Sequence, residues 1–330
     1  MNLAVLGAGA WGTALAVTLS AAHRVTLWAR DLEQCRQMRA VRVNQRYLPD
    51  IALPASMRLE SDRDAALSDC ECAIVAVTLA ALRETLRAVA LESRPVPVIW
   101  LCKGLESGSA KLPQQVAAEE LREEARRGVL SGPSFAQEVA RGIPAAVTLA
   151  SDDAPFSRRM ALELHTKRLR VYSSTDVVGV EIGGAAKNVI AIAAGISDGL
   201  GFGESARAAL ITRGLAEITR LGMRLGARAE TLMGLSGVGD LILTCTGNLS
   251  RNRQVGLRLA AGQALPQILR ELGHVAEGVH SAPELRKVAA ASGAETPIID
   301  AVCRVLYEGL APLAAVDQLL SRDPKPEHRS

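Results

Sequence analysis

The chain has 330 residues, 48% of them hydrophobic, and its 38 basic side chains nearly balance 35 acidic ones for a formal net charge of +3. That length and apolar content supply a sizeable core, favour two domains over one and exclude disorder as the main state. The near balance of charge gives no global field that would argue for nucleic acid or an anionic membrane, so a small anionic ligand has to be gripped locally.

The chain opens with a strand-like run, residues 3–6, that breaks into Gly7, Gly9 and Gly12 and resumes as a helix-like stretch over residues 11–19. This is the spacing of a dinucleotide-binding loop. The first glycine permits the strand-to-helix turn, the second lets backbone approach a pyrophosphate, and the third lets helix and strand pack closely. The phosphates then sit against unpaired amides at the positive end of the helix. Residues 1–22 carry no charge and end in Ser20, Ala21 and Ala22, which also suits a secretory leader. Against that reading, no Lys or Arg precedes the apolar run and three glycines interrupt it.

A second strand-like run, residues 25–28, leads to Arg30 and Asp31. An arginine there can pair with a 2′-phosphate, which favours NADP, while an acid there can bond the ribose hydroxyls and keeps NAD open. Arg30 also reads as an ordinary solvated charge. Further β-rich runs at residues 73–77, 96–101, 129–130, 146–149 and 169–172 alternate with helix-length segments. This alternation predicts an α/β fold with an N-terminal Rossmann-type dinucleotide-binding domain, residues 1–174, whose parallel sheet is wrapped by helices. Lys103 and Gly104 follow one such run directly, and Gly132 and Ser134 follow another, at the strand ends where open α/β sheets collect ligands. Residues 131–135 also suit a plain turn.

After residue 174 Ala, Leu and Gly recur at helical spacing, which predicts a C-terminal all-α domain over residues 175–320 and a solvated tail over 321–330. Segments 204–225, 250–261, 266–272, 283–291 and 297–307 have helical length and proline or polar starts. Lys187 is the only charge within residues 182–197, next to Asn188 and one turn after Gly183 and Gly184. Desolvation lowers a lysine's pKa and fits it to exchange protons near neutrality. The bland alternative is a lysine that snorkels its head to water. Asp240, alone in its charge between Glu230 and Arg251, needs a cationic or hydrogen-bonding partner, and Lys187 is the candidate; a helix N-cap after Gly239 is the alternative. Ser250, Arg251, Asn252 and Arg253 offer donors for a phosphate or form a solvated helix start.

Six scattered cysteines without a C-x-x-C pair suit reduced, buried thiols and a cytoplasmic home. Cys70 and Cys72 lack a neighbouring His or second cysteine pair, and His165, His274 and His280 lack ligand spacing, so no metal is expected. Beyond residue 22 no uncharged apolar stretch reaches the roughly 20 residues of a membrane span, and no membrane insertion is expected.

Taken together these residues make the chain resemble bacterial NAD(P)-dependent glycerol-3-phosphate dehydrogenases, from Asn2 to about Leu320. The shared motifs are GAGAWGTALA at residues 7–16, CKGLE at 102–106, SGPSFA at 131–136, GGAAKNVIAIAAG at 183–195, GVGDLILTC at 237–245 and SRNR at 250–253. The resemblance implies reversible hydride transfer between NAD(P)H and dihydroxyacetone phosphate, giving sn-glycerol 3-phosphate for phospholipid synthesis. It implies Lys187 as proton acceptor with Asp240 beside it, and cofactor contacts at Gly7, Gly9, Ala10, Trp11, Gly12, Arg30, Lys103, Ala136, Arg251, Val275 and Glu277. Implied substrate contacts are Lys103, Gly132, Ser134, Lys187, Asp240, Ser250, Arg251 and Asn252. The chain departs from the family pattern at Ala10, where serine is common, at Ser134, where threonine is common, and at Thr78, Leu79 and Ala80, where a Pro-Ser pair is usual. A homodimer is compatible with these residues, none of which demands it. Two other functions are a 3-hydroxyacid dehydrogenase, against which the SRNR cluster argues for phosphate over carboxylate, and a non-catalytic dinucleotide redox sensor, which would have no use for Lys187 with Asp240.

Overall fold

The computed structural model describes residues 1–273 and 276–321. Its strands are β1 (Asn2–Leu6), β2 (Arg24–Trp28), β3 (Val43–Asn44), β4 (Leu48–Ala52), β5 (Arg58–Glu60), β6 (Cys72–Val75), β7 (Val98–Trp100), β8 (Arg127–Ser131), β9 (Ala145–Ala150) and β10 (Leu169–Ser174). Eight of them form one sheet in the order β10-β9-β8-β7-β6-β1-β2-β5, while β3 and β4 make a separate antiparallel pair. The six strands β8-β7-β6-β1-β2-β5 run parallel, with Val5 of β1 opposite Leu27 of β2 and Ile74 of β6. The chain order reverses at β1, whose neighbours β2 and β6 lie on opposite sides, and the crevice at their carboxyl ends is the switch point where such sheets bind ligands.

One expectation needs correction: the sheet is not wholly parallel. β9 pairs antiparallel with β8, and β10 then follows β9 in parallel. Both faces of the central strands are buried, so their side chains are apolar at consecutive positions and carry no record of direction.

From Val177 onward the described residues form helices. The first, Val177–Gly199, is long and apolar enough to cross a membrane by length and composition, but 89% of its most apolar window is buried inside the protein. It is the axis on which the C-terminal half packs. The helix Arg251–Ala260 crosses it so closely that a Cβ on Gly195 would lie 2.1 Å from the Arg253 carbonyl oxygen, and one on Gly256 the same distance from that of Ile192. Glycine at both positions lets the two backbones touch, which fixes where the residues following Ser250 sit relative to Lys187.

The helix expected from residue 283 begins earlier, at Glu277, and contains Pro283. Proline cannot donate to the carbonyl four residues back, which would orphan Val279. The Tyr307 hydroxyl fills that place, donating to the Val279 carbonyl at 2.7 Å. Residues 322–330, most of the expected tail, lie outside the described residues, as do His274 and Val275.

Candidate active site

The glycine loop runs from β1 into the helix Ala10–Leu19. Gly7 has φ +125°, and a Cβ on it would fall 2.5 Å from the Ala76 carbonyl oxygen at the end of β6. A Cβ on Gly12 would lie 2.0 Å from the Gly7 carbonyl oxygen, whereas Gly9 faces open space. Gly9 is the N-cap and offers no side chain, so no side chain caps the first amides of the helix. Backbone packed this tightly behind an open, donor-rich helix start fits a dinucleotide pyrophosphate. Ala10 and Trp11 begin the helix, half-buried against a small cluster that includes Leu48, Ile51 and Val139, with Ala136 at its edge.

Arg30 is exposed just past β2. Asp31 is the N-cap of the helix Leu32–Val41, where one carboxylate oxygen accepts from the Glu33 and Gln34 amides. Its other oxygen lies 3.9 Å from Arg46. Much of the Asp31 carboxylate is thus committed within the protein, while Arg30 has no hydrogen-bond or ion-pair partner among the described residues.

Lys103, three residues beyond the pairing of β7, stands at the same carboxyl edge of the sheet as the glycine loop. Its Nζ donates to Asp240 Oδ2 at 2.6 Å. Lys187 donates to the other oxygen of the same carboxylate and, at 2.9 Å, to Thr244 Oγ1. The pairing of Lys187 with Asp240 expected from the sequence is present, and Lys103 completes it. Lys187 and Asp240 are both buried, with 6% and 1% exposure, which removes the snorkelling alternative for the lysine. Asp240 does not act as the N-cap; Gly239 does, after a π-type turn over Leu235–Gly239, and Asp240 is the first residue of the helix Asp240–Thr246. Single π turns cluster where a helix must present a side chain off its regular register.

Burial pulls the Lys187 amine well below the ordinary lysine range, against the opposing attraction of Asp240. Burial also acts to raise the Asp240 carboxyl, but Lys103 and Lys187 outweigh it and hold the group below its usual range. The carboxylate therefore stays ionised between two amines, and the buried Lys187 amine can give up its proton near neutrality.

Asn188, next to Lys187, donates to the Gly184 carbonyl at 3.3 Å. Asn252 donates to Asn188 Oδ1 at 2.9 Å and accepts from the Gly278 amide at 3.0 Å, so its amide is largely spent on joining three helices. Ser250 is the N-cap of its helix, accepting from the Arg253 amide. Arg253 is turned onto Asp198, donating at 2.6 and 2.8 Å, which leaves exposed Arg251 as the guanidinium of this cluster without such a partner. Glu277 begins its helix half-buried; burial raises its carboxyl against the pull of Arg251, Lys103 and Lys187, so the four charges share one region. Gly132 and Ser134 occupy the turn after β8, with the Ser134 hydroxyl donating to the Gly132 carbonyl at 3.1 Å. Val275 falls outside the described residues.

Sequence reasoning missed Thr244. It lies one turn after Asp240, and that i, i+4 spacing on the helix carrying the lone acid was the available signal. The six cysteines are free and buried, and no group of residues that could hold a metal occurs among the described residues.

Two family descriptions match this architecture in order: the N-terminus of NAD-dependent glycerol-3-phosphate dehydrogenase over residues 2–157 and its C-terminus over residues 176–317. The chain belongs to the NAD-dependent glycerol-3-phosphate dehydrogenase family. It is 59% identical over 331 residues to the glycerol-3-phosphate dehydrogenase [NAD(P)+] of Nitrosospira multiformis, covering 99% of each chain. The enzyme of the same name from Thiobacillus denitrificans is 59% identical over 327 residues, with 99% of this chain and 100% of that one covered. Among solved structures, the glycerol-3-phosphate dehydrogenase of Coxiella burnetii superposes with a TM-score of 0.93 at 41% identity, covering 97% of this chain and 99% of that one.

Proposed function

We propose that the protein interconverts sn-glycerol 3-phosphate and dihydroxyacetone phosphate, using NADP or NAD. The observation that carries this reading is Lys187, buried, with two of its proton positions fixed by Asp240 and Thr244, in contact through Asp240 with Lys103 at the sheet edge that also bears the glycine loop. Bound at that loop, the dinucleotide supplies a hydride acceptor or donor.

The hydroxyl of Thr244 donates its own hydrogen to the Asp240 carbonyl at 2.6 Å, so toward Lys187 it can only accept. Two N–H bonds of Lys187 are thereby committed, one to a carboxylate and one to a hydroxyl. The remaining tetrahedral position of Nζ is a lone pair in the amine and a third N–H in the ammonium. In oxidation that lone pair removes the C2 hydroxyl proton of glycerol 3-phosphate while the C2 hydride departs. In reduction the third N–H polarises the C2 ketone and its proton ends on the alkoxide oxygen, leaving the amine. Ionised Asp240 holds the amine in place and stabilises its charged form.

Arg251, with Ser250 and the remaining amide hydrogen of Asn252, would hold the phosphate, and Lys103, Gly132 and Ser134 would line the rest of the substrate's path. Phosphate held apart from the reacting carbon turns remote binding energy into orientation at C2. Gly7, Gly9, Ala10, Trp11, Gly12, Arg30, Ala136, Arg251, Val275 and Glu277 are assigned to the dinucleotide. The role we assign to the protein is the supply of glycerol phosphate for phospholipid synthesis, in the cytoplasm, where six buried free thiols are chemically at home.

Adding dihydroxyacetone phosphate to purified protein with NADPH or NADH should consume the reduced cofactor, seen as falling absorbance. No turnover with either, with binding intact, would favour a redox sensor. Turnover of 3-hydroxyacids in preference to glycerol phosphate would favour the other dehydrogenase class.

A further inference from the structure

Glu181 is a second ionisable group buried in the central helix, two turns before Lys187, and the chemistry above makes no use of it. It is 4% exposed. One oxygen, Oε1, accepts from the Trp100 indole at 2.8 Å and from the Gln114 backbone amide at 2.9 Å. Trp100 is the last residue of β7, three before Lys103, and Gln114 is the second residue of the helix Pro113–Glu120. The other oxygen, Oε2, is buried with no hydrogen-bond partner among the described residues, as is Ser131 Oγ at the end of β8. Both residues line one void with Lys103 and Gly184, too narrow to admit a water molecule.

The stripe on the central helix explains the placement. Glu181, Gly184 and Lys187 follow at three-residue intervals, so they lie along neighbouring turns of one side. Gly184 meets the Lys103 stem, since a Cβ there would stand 3.4 Å from its Cγ. Glu181 thus bonds the strand that leads to Lys103, and Lys187 meets Lys103 again through Asp240. The two connections set both the height and the rotation of the helix against the sheet. A misplacement of about 1 Å at a reacting group can cost on the order of a hundredfold in rate.

We propose that Glu181 is a positioning residue that works as an uncharged acid: its carbonyl oxygen anchors the central helix to β7 and to the helix after it, so that Lys187 and Lys103 arrive at the same carboxylate. An uncharged group fits because both donors converge on one oxygen, and a charge spread onto Oε2 would meet none. Burial pushes this carboxyl up to about 8, with the Trp100 and Gln114 bonds opposing, in accord with a protonated group at neutral pH. Cys102 and Lys103 are the other titratable side chains that line the void.

This inference rests on the proposed dehydrogenase reaction, and its test separates the two. Glu181→Gln keeps the accepting carbonyl and the neutral charge, and should retain kcat within about twofold of the wild type. Glu181→Leu leaves both donors unpaired and should lower kcat at least tenfold, with the dissociation constant for NADPH, from fluorescence titration, within about twofold. Glu181→Asp, one methylene short of both donors, should lower kcat at least fivefold and serves where the leucine variant does not fold. Wild-type kcat in the Leu or Asp variant, or a Gln variant as impaired as they are, would overturn the proposal. Infrared spectra of the wild-type protein at neutral pH should also show a protonated-carboxyl stretch that Glu181→Gln removes. Absence of that band overturns the uncharged state whatever the protein catalyses, and an inactive wild type that shows the band defeats the dehydrogenase reading alone.

Discussion

Replacing Asp240 by Asn tests the arrangement of two amines on one carboxylate. Asn keeps the shape but offers one acceptor oxygen in place of two and no charge, so Lys103 and Lys187 lose the anion that joins them. A hydrogen bond to a charged group is worth about 1.5–3 kcal/mol, so loss of one at Lys187 corresponds to roughly a ten- to hundredfold fall in kcat. The pH dependence has a definite sign. Asp240 is what raises the Lys187 amine against burial, and its removal leaves burial and the Lys103 charge, both of which lower it. Reduction of dihydroxyacetone phosphate needs the ammonium, so activity lost on the alkaline side should be lost at a lower pH in the variant than in the wild type. The assay is kcat for reduction, at saturating NADPH, across a pH series spanning neutrality, with cofactor affinity measured in parallel. A variant with an unshifted profile and wild-type kcat, or one whose alkaline limb moves upward, would refute the reasoning.

Other substitutions probe the remaining parts. Gly12→Ala puts a Cβ 2.0 Å from the Gly7 carbonyl oxygen, so backbone must move; overpacking of this kind costs about 1–3 kcal/mol, and a thermal melt together with NADPH titration should show lower stability and at least tenfold weaker binding. Arg30→Ala should raise KM for NADPH about tenfold, the loss of one charge-assisted contact, and leave KM for NADH nearly unchanged; equal effects on both would remove the arginine from 2′-phosphate selection. Glu181 makes stability depend on pH: its folded pKa, about 8, lies above the ordinary carboxyl value of 4.5, so the folded state binds the extra proton between them. Its contribution is fully present below the lower value and is lost as pH rises, by about 1.4 kcal/mol per pH unit across that window. The melting temperature of Glu181→Gln should therefore gain on the wild type from pH 5 to pH 7, and a constant difference would contradict this.

The glycine loop was legible because three glycines at fixed spacing between a strand-like and a helix-like run have few other uses. Strands such as β1, β6 and β7 were legible because burial on both faces makes them continuous apolar runs. β5 was not, since Arg58, Leu59 and Glu60 give an edge strand one apolar side chain, and β4 carries Pro49 and Asp50 that read as loop. The direction of β9 leaves no trace in its composition. At the site, a lone lysine and a lone acid in apolar surroundings announced themselves by the cost of burying charge. Their meeting with Lys103 depends on how chain spanning a separation of 137 positions packs, and Thr244 looks like any threonine within a helix. Arg253 shows the converse: its motif suggested phosphate, but Asp198, distant in sequence, claims the guanidinium.

The central claim is that the amine of Lys187 exchanges the proton of the C2 hydroxyl. Steady-state turnover of Lys187→Ala, measured with dihydroxyacetone phosphate and with NADPH affinity determined on the same preparation, tests it most directly. The account predicts that nearly all turnover disappears while cofactor affinity stays within about threefold, because the hydrogen bonds of the side chain go to Asp240 and Thr244. Turnover at the wild-type rate in that variant would contradict it.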